Sequence, residues 1–239
     1  MIKFIQNAGE FYSAAFFNES FTKNVIEKSG YAPEALGEFN SRISKLKETY
    51  FKYKKEYLDL RRPKDKILRT HEFHSEVLNA LGYDSENDPY TEIVLLKKDE
   101  GIPVRSKFFK NDKPHLYVME MQSLIEIGDE IVPGLFEQRY FKEQWELVFN
   151  FPDPYKLRPS VINDAISELF LIDVERRPEY VLLLAGSEIF LMQGEKWLRG
   201  GYLQFSLEYL FNESTGNRNI YSVFYFLLSK EFLIPGTGS

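Results

Sequence analysis

The chain has 239 residues, no cysteine, three histidines and a formal net charge of −6, with 44% hydrophobic and 28% charged residues. This is the composition of a folded domain, and it excludes disulfides, thiolate metal sites and a cysteine nucleophile. No run approaches the roughly 18 apolar residues of a membrane span. The N-terminus lacks the basic flank and small-residue cleavage site of a secretory signal, so a cytoplasmic setting is expected.

Gly9 to Ser29 reads as a first helix, with Phe11, Ala14, Ala15, Phe17, Phe21 and Val25 available as its buried face. Pro33 and Gly37 separate it from a second, longer helix from Phe39 to about Arg62. Ile43, Leu46, Tyr50, Tyr53, Tyr57 and Leu60 recur there at spacings of three and four, a heptad stripe. Residues 1–62 are therefore expected to form a helical hairpin arm. Such an arm can be a clamp, a spacer or a homodimer contact, and periodicity does not choose among them. Between Arg42 and Arg69 stand eleven basic residues against four acidic ones, net +7, leaving −13 for the rest. This stripe is either a solvated helix face or a phosphate-backbone contact, in which Lys52, Lys54, Lys55, Arg61 and Arg62 are the candidate DNA-binding residues.

After Pro63 a third helix is expected from Lys64 to Leu81, stopped by Gly82. His71 and His74 share one of its faces with Ser75 but have no third ligand at helical spacing, which favours ordinary surface or core histidines over a metal site. Strand signals follow at Thr91 to Leu96, Ile102 to Phe109 and Leu116 to Leu124, an antiparallel meander. The last two strands flank the turn at Lys110 to Pro114, so the hairpin delivers Glu120-Met-Gln122 at the end of an apolar strand. Glu120 and Gln122 are two apart and share a face. A carboxylate in such a strand needs a partner, and Mg²⁺ accepts hard oxygen ligands; otherwise the two are polar residues satisfied by water or backbone donors.

Gly134 to Phe149 reads as helical, and Ser160 is an expected N-cap for a helix to Phe170. Tyr180 to Met192 reads as a hairpin turning at Gly186-Ser187, with a first arm apolar enough to lie in a sheet centre covered on both faces. A last helix is expected over Ile220 to Phe232. Gly236 to Ser239 carries no pattern and is a tail or linker.

A mixed sheet entered from a helix, with a carboxylate on the second arm of a hairpin, resembles the core of the PD-(D/E)XK nucleases. Glu120-Met-Gln122 stands where that core has (D/E)-x-K, with Gln for Lys. More widely, His71 to Tyr83, Ile102-Pro-Val, Pro114-His-Leu-Tyr-Val-Met-Glu, Tyr180 to Met192 and Trp197-Leu-Arg-Gly-Gly-Tyr-Leu-Gln-Phe-Ser-Leu-Glu-Tyr-Leu-Phe211 resemble a bacterial family. It is the N-terminal region of type II restriction-modification and phage-defence proteins with a fused adenine DNA methyltransferase. The resemblance implies an α/β, restriction-endonuclease-like mixed central sheet over residues 63–235. It implies Mg²⁺-dependent hydrolysis of double-stranded DNA, with Glu120, Gln122 and Glu100 catalytic. Glu120, Glu100, Asp99 and Glu76 would be the metal-side acids, the first acid being Glu100 or Asp99. Two rivals stand beside the endonuclease: a non-catalytic module of that fold that binds DNA or scaffolds a methyltransferase, and a protein-interaction module using the heptad arm.

Overall fold

The computed structural model describes residues 4–17, 33–83, 92–96, 100–121, 134–140, 156–157, 160–213 and 218–234. Its centre is a six-stranded sheet in the order β1 (Ile5–Ala8), β11 (Tyr202–Ser206), β10 (Glu188–Gln193), β9 (Tyr180–Ala185), β5 (Lys113–Met121), β4 (Ser106–Lys110). Neighbours run antiparallel except β5 and β9, which are parallel, so the protein is α/β with a mixed sheet. A parallel step needs a crossover. The chain between these strands contains helix α3 (Ile162–Leu171), which buries Ile162, Ala165, Ile166 and Leu169.

Side-chain alternation divides the sheet into two apolar layers. Leu116 and Val118 of β5, Leu182 and Leu184 of β9, and Ile189 and Leu191 of β10 face one core. That core is closed by helices α1 (Pro33–Asp59), α2 (Pro63–Ala80) and α4 (Arg218–Leu228). Tyr117, Met119 and Met121, with Val181, Leu183 and Ala185, face the other core, which holds α3 and Trp197. The central strands are buried on both faces, as the apolar run of β9 leads one to expect. The β9–β10 turn is the two-residue Gly186-Ser187, and φ is +62° at Gly186, the conformation a type II′ turn requires of its first central residue.

Helix α1 belongs to the first core. Its stripe Ile43, Leu46, Tyr50, Tyr53 and Tyr57 is buried, and Tyr53 stacks on Phe73 of α2 with centroids 4.3 Å apart. Each such side chain contributes about 1.5–3 kcal/mol by burial, so the stripe is spent inside the molecule and a homodimer through it would unpack the core. Within the expected hairpin of residues 1–62, the described part of the first helix, Gly9 to Ser29, differs. Residues 5–8 are an edge strand of the main sheet, and within 9–17 the helical element is the short 3₁₀ turn Ala14–Phe17. Residues 18–32 lie outside the described residues.

Four other expectations change. The run 102–109 is two strands, because the chain leaves β3 (Glu100–Val104), in a small sheet with β2 (Glu92–Leu95) and β7 (Lys156–Leu157), and steps at Arg105 into β4. The stretch from Gly134 opens as the 3₁₀ turn Leu135–Glu137 and the short strand β6 (Arg139–Tyr140), paired with β8 (Ser160–Val161); 141–149 lie outside the described residues. Ser160 is thus a strand residue, and Val161, with no side-chain capping bond, precedes α3. The final helix is broken at Ser229 into α4 and α5 (Lys230–Leu233).

Candidate functional site

Glu120 pairs with Leu184 near the C-terminal ends of parallel strands β5 and β9, a position at which open α/β sheets place ligands. Its parity with Leu116 and Val118 turns the side chain toward α2 rather than toward α3. It is fully buried, and three nitrogen-bearing side chains meet it. Arg105 donates Nη1 to Oε1. His74 Nδ1 lies 3.0 Å from Oε1, and His71 Nδ1 lies 3.0 Å from Oε2. The local sequence explains the convergence. His71 and His74 are three apart on the face of α2 that also buries Phe73 and Val77, and Arg105 occupies the step between two strands, with its own N–H bonded to Val118 O at 2.8 Å.

Proton placement follows from the partners. His74 Nε2 accepts the Gly186 N–H at 2.9 Å, so the ring proton sits on Nδ1 and is donated to Glu120. His71 Nδ1 faces both the carboxylate and Arg105 Nη1, each at 3.0 Å; it can donate to the first or accept from the second, not both. Arg105 Nη2 donates to Ser75 Oγ at 2.7 Å, and Ser75 in turn donates to His71 O at 3.1 Å. Burial would push the Glu120 pKa up, but the Arg105 charge and the hydrogen bonds from His71 and His74 outweigh it and hold the carboxyl well below the usual range. Burial holds His74 below its ordinary value, against the pull of Glu120 and with the push of Arg105 and His71.

The fit to Mg²⁺ can be judged from this donor set. A hard cation needs several free oxygen ligands, whereas Glu120 Oε1 already accepts from Arg105 and His74 and Oε2 faces His71 Nδ1, and the guanidinium charge opposes a second cation. Among the described residues no group of three His, Asp or Glu side chains is arranged to hold a metal. Glu100 opens β3, whose Ile102 and Val104 pack into the second core, across the main sheet from the layer Glu120 enters. Glu76 is exposed on α2, off the face carrying His71 and His74. Gln122 and Asp99 lie outside the described residues. The site residues that sequence reasoning missed are Arg105 and the role of the two histidines. The signal was present: a lone arginine within an apolar strand-like run, and a buried glutamate that needed a cation.

The basic stripe is partly used up within the molecule. Lys54 Nζ sits 2.6 Å from Glu208 Oε2, where Tyr50 also donates its hydroxyl at 2.7 Å. Arg62 pairs with Asp65 at 2.6 Å, and Arg69 with Glu56 at 2.7 Å. Lys52 is 71% exposed and touches Glu56 at only 3.8 Å. Lys55 and Arg61 are exposed, although Glu48 and Asp59 are exposed on the same helix.

No helix among the described residues is long and apolar enough to cross a membrane. Compared with protein-family models, with curated proteins and with solved structures, the chain gives no significant match in any of the three.

Proposed function

We propose that this chain is a non-catalytic module on a restriction-endonuclease-like scaffold, in which the position of the metal-binding carboxylate has become a fold-holding ion cluster. The observation that carries the reading is the pairing of buried Glu120 with Arg105 and two histidines. A carboxylate held this way neither accepts a proton near neutral pH nor coordinates a cation without displacing an arginine. The module's task in this reading is to hold DNA for a fused or associated adenine methyltransferase. Contact with the duplex falls to the exposed Lys52, Lys55 and Arg61 on and after α1.

Two measurements test it. Plasmid DNA incubated with the full chain and Mg²⁺ stays intact, equally for wild type and Glu120→Ala; nicking that Glu120→Ala abolishes overturns the reading and restores the endonuclease. Duplex binding is salt-sensitive and independent of divalent ions, with a log–log slope of about −3 for three phosphate contacts. Charge reversal at Lys52 and Lys55 lowers the slope by about 2.

A further inference from the structure

A different part of the molecule, at the opposite, N-terminal ends of β5 and β9, carries two adjoining concavities of about 460 and 320 Å³. They share Lys110, His115 and Glu179 as a common wall. The larger is cationic: Lys110, Lys113 and Arg177 line it, and among the described residues none of these three is ion-paired. Its carboxylate, Glu179, lies 3.1 Å from His115 Nδ1, and His115 Nε2 donates to Leu233 O at 2.6 Å, so the Glu179 contact is a hydrogen bond only when the ring carries both protons. Three cations against one carboxylate make a local excess of positive charge in a chain of net charge −6.

The smaller concavity is aromatic. Tyr12 and Phe16 stack with centroids 4.4 Å apart on one part of its wall, Phe226 and Phe232 approach to 4.3 Å on another, and Tyr180 packs edge-on to His115. All five rings are partly buried and line the cavity, and Lys196 Nζ lies 4.6 Å from the centroid of the Tyr12 ring. Volumes of this size are those of small-molecule sites. Flat ring surface next to unpaired cations is the chemistry that takes a nucleobase and its phosphate together.

We infer that this double concavity binds a nucleoside phosphate, the base lying against Tyr12, Phe16, Phe226 and Phe232 and the phosphate held by Lys110, Lys113 and Arg177. The site is independent of the Glu120 cluster and of the α1 surface. A free nucleotide and the end of a single strand offer the same chemistry.

Calorimetry of the full chain with AMP, adenosine and inorganic phosphate, and fluorescence anisotropy with a 5′-phosphorylated single strand of about eight nucleotides, tests the assignment. AMP or the strand binds at least about tenfold tighter than adenosine or phosphate alone. The double reversal Lys113→Glu with Arg177→Glu, both at exposed positions, weakens binding by about tenfold or more, and Phe226→Ala does the same through the base. Lys52→Glu with Lys55→Glu leaves AMP binding unchanged. AMP binding without strand binding identifies a free nucleotide as the ligand, and strand binding without AMP binding identifies a strand end. The assignment is overturned if neither probe binds at millimolar concentration, if whichever probe binds does so no better than inorganic phosphate, or if the charge reversal leaves affinity unchanged.

Discussion

His74 stands between Gly186 and Glu120, accepting the turn's N–H on one ring nitrogen at 2.9 Å and lying 3.0 Å from the carboxylate with the other. The helix, the β9–β10 turn and the end of β5 are thereby joined through one imidazole. Removing Glu120 leaves Arg105, only 4% exposed, without its counter-charge. Breaking a buried pair this way costs about 3–5 kcal/mol, so Glu120→Ala lowers stability by that order in urea unfolding. Arg105→Leu combined with Glu120→Leu is less damaging than the two single changes added together, a coupling that a double-mutant cycle measures. Additive effects would show that the two groups do not interact.

The same cluster sets a pH dependence. His74 has a folded pKa below its ordinary 6.5, so the unfolded chain takes up the proton first. Stability is therefore full above about 6.5 and declines as pH falls below it. Glu120, held below the ordinary 4.5, adds a second loss as pH falls from there through its folded pKa. Glu188, pushed up by burial, works in the opposite direction: it adds stability as pH falls through its raised folded pKa toward 4.5, above the window in which Glu120 acts. The urea midpoint is expected to drop from pH 7.5 to pH 5.5, a range chosen to span the ordinary histidine pKa of about 6.5. In Glu120→Gln the decline below pH 4.5 is smaller than in wild type.

Along α1 the buried stripe and the outer face should respond differently. Tyr53 is fully buried, stacked on Phe73, with its hydroxyl 3.1 Å from Thr70 Oγ1, whereas Leu58 is 53% exposed. Tyr53→Ala lowers stability by about 3–5 kcal/mol, and Leu58→Ala stays within about 0.5 kcal/mol. Equal effects in thermal unfolding would mean that the helix does not pack by this face.

Lys54 and Lys52 are both basic residues of the stripe but differ in partner. Lys54→Ala releases Glu208 and Tyr50 and lowers stability by about 1 kcal/mol, with little effect on duplex affinity. Lys52→Ala does the reverse. Anisotropy with a duplex alongside chemical denaturation distinguishes them, and an exchange of the two outcomes would move the DNA contact to the Lys54 side.

Gly9 has φ +55°, and a Cβ there would collide with the backbone of Gly200 and Gly201. Gly9→Ala is expected to cost more than the roughly 1 kcal/mol of an unfavourable backbone conformation alone, because neither neighbour can yield by turning a side chain. Circular dichroism melting gives the comparison with Gly37→Ala, where open space surrounds the position.

The elements most legible in the sequence are those with a long or strict period. The stripe from Ile43 to Tyr57 and the apolar run from Tyr180 lie where helix and central strand are observed. Strand β11 was not legible, because Tyr202 to Ser206 is short, follows two glycines and gains its meaning only from pairing on both sides with β1 and β10. Glu120 was legible as a buried acid in need of a partner. The partner's identity was not, because Arg105 comes from the far side of a hairpin and the histidines from a helix 46 and 49 residues earlier. Spacing along a chain carries no information about such a meeting.

Among the described residues strand β1 pairs only with β11, nearly two hundred positions later in the chain. During synthesis the first strand leaves the ribosome with no edge to join, and it waits until the segment around Leu203 has emerged. Nascent fragments that end before residue 202 therefore expose an unpaired N-terminal ribbon, and chaperone capture of stalled chains should fall away once β11 has cleared the exit tunnel.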